Sequence, residues 1–172
     1  MITDINQLDL NKRYTYADYL TWQFNERVEL LLGKIFKVSP APNVKHQKIS
    51  QNLNFHLLNY FIKRKCQVFT APFDVRLPFS KKPERSDTVV QPDLCVICDE
   101  SKLDEQGCNG APDLVIEILS PGNNRKEMKE KFELYEAAKV HEYWIVDPER
   151  EDVLVYSLNE KEKYVGSKPL VA

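Results

Sequence analysis

The sequence lacks several things, and each lack excludes something. No uncharged apolar run approaches the ~18 residues that a spanning helix needs, so a helical membrane protein is not expected. Residues 1–10 carry Asp4 and Asp9 where a signal peptide would be apolar. Charge of one sign is not in excess: 24 Lys and Arg stand against 26 Asp and Glu, a net −2. That argues against a wholly basic polyanion binder, although a local basic groove stays open. Glycine is scarce, with 5 against 10 prolines. No internal repeat, low-complexity segment or linker divides the chain. The four cysteines, Cys66, Cys95, Cys98 and Cys108, are expected to be reduced buried thiols of a cytoplasmic protein.

What is present is an ordinary globular balance, 42% hydrophobic and 29% charged over 172 residues. One domain over residues 1–172 is expected, with a radius of gyration of roughly 16 Å. It would bury roughly 70% of the surface of its unfolded chain, enough to fold without a disulfide or metal.

Thr15 with Asp18 three residues on reads as a capping box opening a helix through about Phe24. Residues 27–38 read as a hairpin about Gly33; a helix over 18–32 with Gly33 as its C-cap is the competing pattern. Pro40 and Pro42 then break the chain. Residues 44–65 carry Ile49, Leu53, Leu57, Tyr60 and Phe61 at helical spacing. Strands are expected over 67–77 (broken near Pro72), 88–98, 113–119 and 143–146, with 153–156 and 164–165 closing an antiparallel edge. A polar loop occupies 80–86, and 124–139 reads as a helix packed through Met128, Phe132, Tyr135 and Ala138. The order predicts an α/β fold, a mixed sheet flanked by helices.

Glu117 interrupts the apolar run Leu114, Val115, Ile116, Ile118, Leu119. A carboxylate there must be paired, protonated, metal-bound or at an exposed strand end, since desolvating a bare charge is costly. Asp113 lies four residues earlier on the same strand, about 13 Å away at ~3.3 Å per residue. That is too far to share one cation through bonds of roughly 2.0–2.6 Å. Asp93, on a separate strand, can lie beside Glu117 if the strands pair, and is the better partner. Hard oxygen ligands suit Mg²⁺ or Mn²⁺, which support water attack on a phosphodiester. A cation must also offset charge on the transition state. Leu119, on the same face as Glu117, cannot serve; the next helix offers Arg125, Lys126, Lys129 and Lys131.

These pieces, with their neighbours, resemble a known family. Asp93, Glu117 and a lysine on the following helix resemble the metal-dependent PD-(D/E)XK nuclease core. The closer likeness is to the bacterial Uma family of restriction-endonuclease-like proteins. It rests on Glu29-Leu30-Leu31-Leu32-Gly33-Lys34, on His46 before the long helix, and on Gln91-Pro92-Asp93-Leu94. It continues with Pro112-Asp113-Leu114-Val115-Ile116-Glu117-Ile118-Leu119-Ser120-Pro121, Lys131 with Tyr135, and Glu142-Tyr143-Trp144-Ile145-Val146-Asp147-Pro148. The resemblance implies a restriction-endonuclease-like fold and a metal site at Asp93 and Glu117. Leu119 stands where the broader motif has lysine, and Lys131 would take that place. Members commonly have Asp at Glu127 and Gly at Lys139, and often continue beyond the position of Ala172.

Several residues have a bland reading beside the sharp one. Glu29 is either a third metal ligand or the partner of Arg27 or Lys34. His46 could orient a water or touch a phosphate, but capping or packing is the commoner role of a lone histidine. His56 and His141 read as structural, and Tyr143-Trp144 as core. Cys95 and Cys98 have CxxC spacing, yet on a strand they point to opposite faces, and a zinc site would need Cys66 and Cys108 to converge. Lys45/Lys48, Lys63–Lys65, Lys81/Lys82/Arg85 and Arg125/Lys126/Lys129 would track a phosphate backbone only if several lined one side.

The expected activity is therefore Mg²⁺- or Mn²⁺-dependent phosphodiester hydrolysis, with DNA as substrate. Asp93 and Glu117 would hold the metal, Glu29 joining them, and Lys131 would position water or stabilise developing charge. No Ser, Cys or Tyr has a neighbouring base that suggests a covalent nucleophile. A homodimer is the simplest way to cut both strands. The alternative is a catalytically inactive nucleic-acid- or protein-binding module on the same fold.

Overall fold

The computed structural model describes residues 2–37, 43–77, 79, 86–120 and 125–171, without the side chains of 125–127. The Pro40 and Pro42 break, the loop at 80–85 with Lys81, Lys82 and Arg85, and the side chains of Arg125, Lys126 and Glu127 lie outside the described residues.

Thr15 does open a helix, α1 (Tyr16–Tyr19), through a reciprocal capping box with Asp18. It is one turn long, stopping short of the expected Phe24. Strands β1 (Val28–Leu31) and β2 (Lys34–Lys37) form the hairpin, not the competing helix. The two turn residues, Leu32 (φ 51°) and Gly33 (φ 78°), are both left-handed. That geometry matches the twist of a two-residue hairpin. Helix α2 (Val44–Phe61) starts at Asn43, whose side chain accepts from the His46 N–H.

Then follow β3 (Gln67–Thr70), β4 (Val75–Arg76), β5 (Val89–Val90), β6 (Leu94–Ile97), β7 (Leu103–Asp104), β8 (Gly107–Asn109) and β9 (Leu114–Ile118). Helix α3 (Arg125–Ala137) leads into β10 (Glu142–Asp147), β11 (Asp152–Leu158), β12 (Tyr164–Gly166) and β13 (Leu170–Val171). The expected strand over 88–98 is two strands, β5 and β6, parted by Gln91-Pro92-Asp93.

The fold is α/β as expected, but its strands form two mixed sheets rather than one. The smaller runs β2-β1-β5-β4-β8-β7 and the larger β12-β11-β10-β9-β6-β3, with β13 on β11. In the larger sheet β9 runs parallel to β10 and antiparallel to β6. Strand alternation then sorts β9. Leu114, Ile116 and Ile118 pack with Ile49, Leu53, Leu57 and Phe61 of α2. Val115, on the other face, packs with Leu134 and Tyr135 of α3. Glu117 shares that second face, so its carboxylate is aimed at α3.

The cysteines depart from expectation. Cys66 and Cys98 form a disulfide, while Cys95 and Cys108 are free and buried as foreseen. The β3/β6 register explains it: one pair beyond Gln67↔Ile97, Cys66 faces Cys98. Among the described residues, no helix is long and apolar enough to cross a membrane.

Candidate active site

The β6/β9 ladder pairs Leu94 with Ile116. One step further along this antiparallel register, Asp93 comes opposite Glu117. The two residues that the sequence pairs thus stand at the ends of neighbouring strands, near enough for the Asp93 charge to act on Glu117. Asp93 is held by its Oδ2, which accepts from the Ile118 N–H at 2.8 Å and lies 3.3 Å from His46 Nε2. Glu117 is held by its Oε1, 3.0 Å from Lys131 Nζ and 2.7 Å from the donating hydroxyl of Tyr135. Asp93 Oδ1 and Glu117 Oε2 accept no hydrogen bond among the described residues.

Lys131 reaches the site because α3 lies across the Glu117 face of β9. Its neighbour one turn on, Tyr135, points the same way. Lys131 is also 3.0 Å from Glu29 Oε2. Glu29, on β1 and 2% exposed, accepts from the Gln91 N–H through Oε1 at 2.7 Å. Both its oxygens are thus engaged. Glu29 pairs neither with Arg27 nor with Lys34, and the expected three-carboxylate grouping is not assembled. Among the described residues, no three His, Cys, Asp or Glu side chains are placed to hold a metal ion together.

The charges explain the protonation of the site. Burial pushes the Glu117 carboxyl up to about 7; the Asp93 and Glu29 charges add to this, while Lys131 and the Tyr135 hydrogen bond oppose it. Burial alone would lower the Lys131 pKa, but Glu117 and Glu29 outweigh it and raise it above the usual lysine value. Lys131 is a permanent ammonium. Burial and the nearby carboxylates raise the Tyr135 phenol well above its ordinary value, so it stays a donor.

His46 neither caps nor simply packs: it is buried, its ring faces Asp93, and its Nδ1 has no partner among the described residues. Asp113 begins β9, as expected, and accepts from the Cys98 N–H at 2.7 Å. Lys45 turns away to the Pro148 carbonyl, and Lys129 to Glu133 at 3.6 Å. Sequence reasoning missed Gln91, which ties Glu29 to Arg27 and Asp74 by bonds of 2.7, 2.9 and 2.7 Å. Its one signal was its place beside Pro92-Asp93. Tyr135 is buried in the core, as its helical spacing predicts, and it also donates to Glu117.

A divalent cation is tested by its donors. Two facing carboxylates, each with an unengaged oxygen, suit a hard cation. Mg²⁺ is commonly bound through one or two carboxylates, retaining several waters. The residues present fit such an ion through Asp93 and Glu117.

Comparison with known proteins bears on the family and the fold. A family model described as "Putative restriction endonuclease", Uma2, matches residues 16–170. Among solved structures, the chain is similar to one titled a "putative nuclease belonging to DUF820" from Anabaena variabilis ATCC 29413. The TM-score is 0.70 at 22% identity, covering 89% of this chain and 83% of that one. No curated protein matches.

Proposed function

The chain belongs to the Uma2 family, and we propose that it hydrolyses phosphodiester bonds in DNA using Mg²⁺ or Mn²⁺ held by Asp93 and Glu117. The observation that carries this reading is the facing Asp93–Glu117 pair with the Lys131 ammonium 3.0 Å from Glu117. Such an ion, when bound, neutralises phosphate charge and makes water more acidic.

The chain's own residues do the rest. The Ile118 N–H and His46 orient Asp93, and Tyr135 orients Glu117, leaving the free oxygen of each for the ion. Lys131 keeps its proton, so it acts as a fixed positive charge and donor and not as a base. It is placed to stabilise the negative charge that builds on the phosphate oxygens in the transition state. Glu29 supports it, because together with Gln91 it fixes where the Lys131 ammonium sits. The buried Tyr135 hydroxyl is committed to Glu117, so water, and not a side chain, is the attacking group. A two-fold dimer would set two sites against the two strands of a duplex.

Supercoiled plasmid incubated with Mg²⁺ or Mn²⁺ tests this reading. Nicking is expected, stopped by EDTA and lost in Asp93→Ala. A protein that binds plasmid but never cuts it with any divalent metal would instead be a binding module.

A further inference from the structure

Next to the cation site lies a concave cleft of about 190 Å³, with Asp93 in its wall. Helix α2 presents Gln47, Ser50, Gln51 and Asn54 to it. These are positions i, i+3, i+4 and i+7, one continuous stripe of the helix. The apolar positions Ile49, Leu53 and Leu57 pack onto the larger sheet, so the stripe is held in place. Across the cleft stand Thr70 and Arg27. None of the side chains of Gln47, Ser50, Gln51, Asn54 or Thr70 makes a hydrogen bond among the described residues.

Arg27 is set differently. Its Nε donates to Gln91 Oε1 at 2.9 Å, and Gln91 is itself fixed by Glu29 and Asp74. One edge of the guanidinium is anchored while its two terminal nitrogens have no partner among the described residues. A preset guanidinium fork matches a phosphate. Glutamine and asparagine amides match base edges, each offering a donor and an acceptor.

Taking the nuclease reading as its basis, we infer that this cleft seats the DNA strand on one side of the scissile phosphate. Arg27 holds a backbone phosphate, and Gln51 and Asn54 read the adjacent bases. The residues that choose where the enzyme cuts therefore lie on α2, next to the carboxylates that cut. Asp93 belongs to both: it lines the cleft and faces Glu117.

Two measurements on the full chain test this. Cleavage ends mapped on a randomised duplex with Mg²⁺ should show a base preference on one side of the cut for the wild type. In Gln51→Ala/Asn54→Ala that preference should fall by about tenfold. Gln51 is exposed, so folding is not at stake there. Second, anisotropy titrations of a labelled duplex in EDTA should show Arg27→Ala weakening binding about tenfold and reducing the slope of log K against log salt by about one. Arg27→Lys should restore the slope. If the wild type cuts and both variants keep its preference and slope, the cleft assignment is overturned while the nuclease stands. If the wild type binds but does not cut, the nuclease reading fails, and an unchanged Arg27→Ala slope overturns the cleft separately. A wild type that neither binds nor cuts DNA overturns both.

Discussion

Glu117 and Lys131 meet at 3.0 Å although one lies on β9 and the other on the next helix. In the broader nuclease motif the lysine stands two residues after the acid on the same strand; here that position is Leu119. The helix delivers the ammonium to the same carboxylate from the side. A strand supplies two side chains on one face only every second residue, whereas α3 crossing that face supplies Lys131 and Tyr135 together.

Glu29 and Lys131 form a nearly inaccessible pair, with side chains 3% and 11% exposed. Glu29→Ala leaves Lys131 with Glu117 as its remaining partner but strands the Gln91 N–H, and an unsatisfied buried donor costs about 1–3 kcal/mol, a loss that urea unfolding should show. A loss below ~1 kcal/mol would show that Glu29 does not hold the Gln91 N–H as described.

Cation binding should depend on pH through Glu117. Its carboxyl, raised to about 7 by burial, must shed a proton before it can ligate. Below that pH the proton competes, so Mn²⁺ affinity should rise up to tenfold per unit toward pH 7 and then flatten. Calorimetric titration from pH 5 to 8 reads this directly. Glu117→Gln should flatten the profile and weaken binding; a flat wild-type profile would contradict the assignment.

Much of this site is legible in the sequence, for identifiable reasons. Glu117 stands out because a charge breaks an apolar strand, and Asp93 follows because the distance along one strand rules out Asp113. Gly33 marks a two-residue turn, and the Thr15/Asp18 box marks a helix start. What escapes is set by contacts far apart in the chain. Nothing local to Glu29 points to Lys131, 102 residues away. The run 88–98 has apolar residues on both sides of Gln91-Pro92-Asp93 and so reads as one strand, but Pro92 has no N–H to give a ladder, and the chain changes sheets there. Cys66 and Cys98 become partners only through the β3/β6 register, which the CxxC spacing of Cys95 and Cys98 does not reveal.

That disulfide closes a separation of 32 residues. Constraining the unfolded chain over such a loop is worth about 3–4 kcal/mol. Thermal unfolding with and without dithiothreitol should differ accordingly, and Cys66→Ser should abolish the difference. Equal melting in both conditions would show that the bond does not stabilise the fold.

Lys139 ends α3 with φ 65°, in a Schellman arrangement. Its N–H donates to the Glu136 carbonyl and the Val140 N–H to that of Tyr135, each at 3.0 Å. A left-handed residue with a Cβ costs roughly 1 kcal/mol relative to glycine. The Lys139–Glu162 ion pair is exposed and worth little. Lys139→Gly should therefore raise the melting temperature by about 2–4 °C; a fall would mean that the ion pair outweighs the backbone.

The role of Lys131 is tested most directly by the single-turnover cleavage rate of a duplex with saturating Mn²⁺, for wild type, Lys131→Ala and Lys131→Arg at matched folding. Metal-dependent cutting by the wild type is expected, with a loss of about a hundredfold or more in Lys131→Ala. Lys131→Arg, which retains the charge, should recover part of that loss. A Lys131→Ala variant that cuts at the wild-type rate would contradict the claim that a helix-borne lysine serves the Asp93–Glu117 site.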